Sequence, residues 1–390
     1  MSGWRLSSEL SRSTICLGLF TAGLFALLLV NSSSLRADVR FDLGWNGGYT
    51  NNLLSDSTAL SDRYSTASGT MRYYPLDWLE INLTGEYTYY DEILGLGNRV
   101  GRVGIAVIPL KETSQYSVYL KGSFDGMRYR KDFSAFDNNN VDGRISLGYR
   151  LKPTLNVRCG FNIQSAAYLA SDIGDKKSVE LFSGVNFSFW GRNSLDLEAG
   201  IGATDYRYIN TDSLDGDDIK FLNPQDPLSS LRERTLNSFY FSPRYSRPLG
   251  SLTGMNLTIV YRDFRHTDAL VFGSSVGLLS PWTSIWEGTS VTLNVKTYLV
   301  PAVITTVGVG YWNKTYLNTF EKIADSWAVF TTYRDDQQER AFVQMMRPIS
   351  TEGGGLLQLS LSIDYTHNHS TNKLYKYSGV SIQTGISYRL

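Results

Sequence analysis

From Asp38 onward, apolar and polar side chains trade places residue by residue. Between positions 290 and 299, Val291, Leu293, Val295 and Leu299 share one face with Thr297, while Thr292, Asn294, Lys296 and Tyr298 take the other. Leu195, Leu197, Ala199, Ile201 and Ala203 oppose Asp196, Glu198, Gly200, Gly202 and Thr204, and Leu79, Ile81, Leu83 and Tyr87 oppose Glu80, Asn82, Thr84 and Glu86. The same repeat runs through 116–125, 145–150, 155–164, 179–190, 255–262 and 357–364. A period of two belongs to strands with one apolar and one polar face and excludes amphipathic helices.

Alternation alone also fits a soluble sandwich with one wet face. The connections separate the two. Counted from Asp38, the even-to-odd joins are tight, at 74–77, 109–114, 151–153, 190–193, 247–253 and 300–302, with 347–354 somewhat longer. The odd-to-even joins include long polar stretches at 205–234, 266–288 and 313–337. Turns at one end and loops at the other mark an all-β fold, a closed antiparallel transmembrane β-barrel with short periplasmic turns and long extracellular loops. The tally is about sixteen strands, within a range of about 14 to 18, because 64–73 and 339–346 alternate weakly. Apolar faces then meet lipid and polar faces line the lumen, since in hydrocarbon only a closed sheet satisfies every backbone group.

The first 37 residues carry a different pattern. Arg5 and Arg12 form a basic start, 15–30 is apolar, and Leu35-Arg36-Ala37 offers a small residue for cleavage. Residues 1–37 therefore read as a cleavable signal peptide and 38–390 as a single transmembrane barrel domain. No later apolar run is long enough for a spanning helix. No plug-sized segment precedes the first strand, which argues against a plugged, energy-coupled receptor. Cleavage removes Cys16 and leaves Cys159 alone, so no internal disulfide is expected. Net charge is zero, with 37 basic and 37 acidic residues and no basic cluster, which argues against a nucleic-acid partner.

The last ten residues, SIQTGISYRL, set Ile382, Thr384, Ile386, Tyr388 and Leu390 on one face and Ser381, Gln383, Gly385, Ser387 and Arg389 on the other. This resembles the C-terminal β-signal of bacterial outer-membrane proteins, with Leu390 where the family usually ends in Phe. The resemblance implies that Ile382, Ile386, Tyr388 and Leu390 are read by the barrel-assembly machinery. From Asp38 to the end the chain resembles the porin-like class of Gram-negative outer-membrane barrels, which implies passive diffusion of small hydrophilic solutes. The apolar outer face serves lipid and neighbouring subunits alike, so a homotrimer stays open.

Parity then maps the lumen. The inward cations are Arg40, Arg72, Arg102, Lys121, Arg144, Arg150, Arg158, Arg244, Arg262, Lys296, Arg340 and Arg389. The inward anions are Asp42, Glu80, Glu86, Asp125, Glu180, Asp196, Glu198 and Asp364. Twelve against eight leaves a mild basic excess, set toward the periplasmic mouth by Arg72, Arg150, Arg158, Arg244 and Arg389. A weak preference for anions follows, unless these arginines pair with their neighbours and only brace the wall. The loop 205–234, with Asp212, Asp215, Asp217 and Asp218, is the candidate constriction. Its acids lack the downstream glutamate of a calcium loop.

Other chemistry is thin. His367, His369 and Ser378 share the outward parity, and a hairpin would set His369 beside Ser378 as in a lipid hydrolase, but no orienting third group is evident. The glycines of 95–101 do not open a helix after a strand, so no dinucleotide site is indicated. The expectation is a channel without cofactor or metal and not an enzyme. The alternative is a partner-serving barrel, a polysaccharide outlet or a sheath for an exported protein.

Overall fold

The computed structural model describes residues 38–390 except 54, 56, 110–113, 170–174, 208–232, 266–270, 274–285, 301, 317–318, 324–325, 331–333 and 353. The expected signal peptide at 1–37 and the acidic stretch at 208–232 lie outside the described residues.

Sixteen antiparallel strands close into one barrel. In chain order they are β1 (Asp38–Thr50), β2 (Asp62–Leu76), β3 (Leu79–Tyr90), β4 (Asn98–Val107), β5 (Tyr116–Tyr129), β6 (Asn138–Lys152), β7 (Leu155–Tyr168) and β8 (Asp175–Phe189). The second half continues with β9 (Asn193–Arg207), β10 (Glu233–Pro248), β11 (Thr253–Arg265), β12 (Glu287–Val300), β13 (Val303–Tyr316), β14 (Arg334–Ser350), β15 (Leu356–Ser370) and β16 (Tyr377–Arg389). Each strand pairs with its sequence neighbours, and β1 pairs with β16 to close the sheet. The joins segregate by length between the two ends, as the connection lengths in the sequence indicate. One end carries turns such as Asp77-Trp78 and Pro153-Thr154, and the other carries the long connections from β9 to β10 and from β11 to β12.

The tight end is shaped by bulges. Register shifts between Tyr73 and Leu76, Arg150 and Lys152, and Tyr298 and Val300 each fall beside a two-residue turn. A bulge adds local twist and lets a two-residue link join strands splayed around a cylinder. Ala302 in the last of these turns has φ of +73°, a left-handed conformation that costs an alanine about 1–2 kcal/mol.

Packing is inverted relative to a soluble protein. Leu43, Leu181, Ile201 and Leu299 lie outside and are 58%, 56%, 59% and 63% exposed. Among the described residues only Leu96, Ala166, Phe182, Leu236, Trp286 and Tyr316 are buried and apolar. Such an exterior is soluble only in hydrocarbon, which places the barrel in a membrane. Trp78 and Trp190 stand exposed beside periplasmic turns, as interfacial aromatics do. Tyr90, near the loop end of β3, faces inward and pairs with Tyr64, their rings 6.0 Å apart.

The loop end has its own order. Asp62, 1% exposed, accepts backbone N–H groups of Arg63 (2.7 Å), Asp91 (3.1 Å), Glu92 (3.0 Å) and Ile93 (2.8 Å). One carboxylate thereby ties the β3–β4 loop to the start of β2. The stretches at 266–288 and 313–337 read as loops, but hold a small sheet of Val271–Gly273, Thr319–Ile323 and Ser326–Phe330. The first two of these strands run parallel, a pairing that local alternation cannot announce.

Candidate functional site in the barrel lumen

Register fixes which side chains face inward. One row crosses the wall through Arg72, Asn82, Gly104, Ser123, Asp142, Gln164 and Ser178. A second runs Ala106, Lys121, Arg144, Asn162, Glu180, Gly202 and Ser238. Both rows are polar or small throughout, whereas the rows between them hold the exposed aliphatic side chains.

The inward charges divide into paired and unpaired sets. Arg158 bridges Asp196 at 2.9 Å and Glu198 at 2.8 Å, and Tyr240 donates its hydroxyl to Glu198 at 3.0 Å. Asp42 receives Arg389 at 2.5 Å and Arg72 at 3.2 Å, spanning the β16–β1–β2 seam. Arg340 binds Asp364 across β14–β15, Arg102 approaches Asp125 at 3.7 Å, and Arg40 meets Asp38 at 2.7 Å. Lys121, Arg144, Arg244, Arg262 and Lys296 have no ion pair among the described residues. Lys121 and Arg144 stand directly opposite each other, and Arg144 lies over the Phe182 ring at 4.6 Å.

Two adjoining recesses hollow this wall. One, of about 810 Å³, is lined by Arg72, Glu80, Arg102, Lys121, Asp142 and Arg144 among others. The next, of about 500 Å³, includes Lys176, Glu180, Glu198, Tyr240 and Arg262. A third recess of about 600 Å³ lies toward the loops. There Arg334 pairs with buried Asp336 and stacks on Tyr316 and Tyr375, at 4.2 and 3.3 Å to the ring centres. Lys314 donates to Gln338 at 2.6 Å in the same recess.

No protein-family model and no curated protein matches the chain. Solved structures do. CdiB from Acinetobacter baumannii superposes with a TM-score of 0.52 at 10% identity, over 90% of this chain and 60% of that one. OccAB1 from the same organism gives 0.46 at 10% identity, over 92% and 99% of the two chains. A BenF-like porin from Pseudomonas fluorescens Pf-5 gives 0.45 at 10%, over 91% and 98%. The chain shares with them the fold of a closed antiparallel β-barrel of the membrane-spanning kind.

Register sets Arg40, Arg72, Glu80, Glu86, Arg102, Lys121, Arg144, Arg150, Arg158, Asp196, Glu198, Arg244, Arg262, Lys296, Asp364 and Arg389 on the face of the wall that carries the polar rows. The structure joins Arg72 and Arg389 through one carboxylate, which the sequence did not suggest, and thereby offsets part of the basic rim expected at the periplasmic mouth. Asp142, Lys176, Lys314, Arg334 and Asp336 are also inward but escaped the parity map. Asp142 sits on a clearly alternating face and was there to be found. Asp336 and Arg334 fall in an outer stretch of β14 that does not alternate in hydropathy. On the outer face the register sets His367, rather than His369, opposite Ser378. Among the described residues no group of three metal-ligating side chains occurs.

Proposed function

We propose that the barrel is a passive diffusion channel for small hydrophilic solutes with a weak preference for anions. The carrying observation is the imbalance among unpaired inward charges. Lys121, Arg144, Lys176, Arg244, Arg262, Lys296 and Lys314 have no ion pair among the described residues, against Glu80, Glu86, Asp142 and Glu180. Simple pairs cancel at a distance beyond their separation, and the surplus anion of the Arg158 cluster is matched by the surplus cation of the Asp42 cluster, so these seven and four carry the net imbalance that a passing ion meets. The facing pair Lys121 and Arg144 concentrates positive potential on one wall, beside the larger recess. Rings and patches of fixed charge raise the local concentration of the opposite ion in a pore.

The measurement is the reversal potential of single channels in a planar bilayer under a potassium chloride gradient. It should take the sign of chloride preference, and Lys121→Glu with Arg144→Glu should move it toward or past zero. A wild-type reversal potential on the potassium side would refute the preference while leaving the channel intact. A barrel that never conducts would refute the channel itself.

A further inference from the structure

The lipid-facing surface of β2–β5 breaks the apolar belt in two ways. Gly69, Gly85, Gly101 and Gly126 are successive register partners on these four strands. A methyl group added at Gly85 or Gly101 would meet nothing within 4 Å. Gly85, Gly101 and Gly126 floor an open trough of about 590 Å³, walled by Leu83, Val103 and Phe124. It climbs obliquely, from the middle of β3 at Gly85 to Gly126 near the loop end of β5.

At its upper end the next outward positions are Arg99 and Arg128, directly opposite each other. Arg130, the first residue beyond β5, joins them and donates to the Tyr87 hydroxyl at 3.2 Å. Arg128 is held at the trough by hydrogen bonds to the Met127 carbonyl (2.8 Å), the Asn138 carbonyl (2.7 Å) and Asn139 Oδ1 (2.7 Å). None of the three arginines has an ion pair among the described residues. Like charges placed directly opposite on neighbouring strands repel. A lipid-facing arginine is tolerated only near the interface, where headgroups can answer its charge. Three guanidiniums at the extracellular boundary, beside an apolar-walled trough open to the lipid, call for an anion that carries an acyl tail.

We infer that this trough binds one phosphorylated glycolipid of the outer leaflet, of the lipid A class. An acyl chain lies along the glycine floor, and a phosphate accepts hydrogen bonds from Arg99, Arg128 and Arg130. Because its walls, Leu83, Val103 and Phe124, stand on the outward face, its occupant comes from the membrane rather than from the solute stream.

Native mass spectrometry of the purified full barrel in detergent, titrated with bis-phosphorylated lipid A, tests the inference. One lipid should be retained, and its dephosphorylated form should bind at least tenfold more weakly. Arg99→Gln with Arg130→Gln should weaken retention by a similar factor. Gly101→Leu, which fills the slot and keeps every charge, should weaken it too. Heat-modifiable migration on a gel checks that each variant is folded, and the arginine variant alters only exposed side chains if the glycine variant fails that check. Equal binding of the dephosphorylated lipid, or undiminished retention by the folded variants, would overturn the inference. So would efficient cross-linking between copies through Gly85→Cys in the native membrane, because the trough would then be a subunit contact.

Discussion

Asp62 illustrates how a single side chain can organise a mouth. It gathers four backbone N–H groups, three of them from a loop that arrives after the whole of β3. Asp62→Ala removes every one of those acceptors, and each buried donor left unsatisfied costs about 1–3 kcal/mol. Hydrogen exchange at Asp91, Glu92 and Ile93 should therefore rise by at least an order of magnitude in the variant, with the strands unaffected. Exchange equal to wild type would mean that the loop is held by other contacts. Ala302 makes the opposite prediction. Glycine tolerates its positive φ, so Ala302→Gly should slow unfolding in denaturant, with a gain of about 1 kcal/mol set against glycine's greater entropy when unfolded.

At the level of strands, legibility followed the lipid. Alternation is imposed where one face meets hydrocarbon and the other meets water, so β9 and β12 could be read residue by residue. Strands β14 and β15 run beyond the apolar band. Outward Asp335, Gln337 and Glu339 pair with Thr315, Asn313 and Tyr311 on one side, and Gln337 and Glu339 with His369 and His367 on the other. Polar residues on both faces erase the period of two, which is why the sequence marked this strand only from 339 onward and missed Arg334 and Asp336. The small parallel pairing of Val271–Gly273 with Thr319–Ile323 is set by contacts far apart in the chain and leaves no local trace. Ion pairing was invisible for a similar reason, since it depends on which strands touch. On the closing strand, Ile382 and Ile386 face lipid at 42% and 43% exposed. A charge at such depth costs about 2–4 kcal/mol for a lysine. Ile386→Lys should accordingly lower the fraction of heat-modifiable barrel after refolding into lipid vesicles, whereas Ser387→Lys, on the inward face, should leave it nearly unchanged.

For the molecule as a whole, the barrel is a wall whose two faces obey different rules. The inner face tolerates charge as long as water or a partner answers it. The outer face tolerates it only at the rims, where Arg99 and Arg128 stand. The sequence made the architecture readable because both faces had to be satisfied on every strand at once. It left the field inside the lumen unreadable, because that field is the small remainder after Arg158, Asp42 and Arg340 have found their partners.

The seam at Asp42 also has a temporal meaning. Its bond to Arg389 joins residues 347 positions apart, so no segment shorter than nearly the whole chain can form it. Contacts of such sequence separation are slow to find and come with the greatest loss of chain freedom. Closure is then the last event of folding, and Asp42, gripping arginines on both sides of the gap, acts as its latch. Asp42→Asn should leave the sheet signal in circular dichroism to develop at the wild-type rate, while the appearance of the compact, heat-resistant gel band lags behind it. Simultaneous appearance in the variant would show that the two ends zip together without the latch.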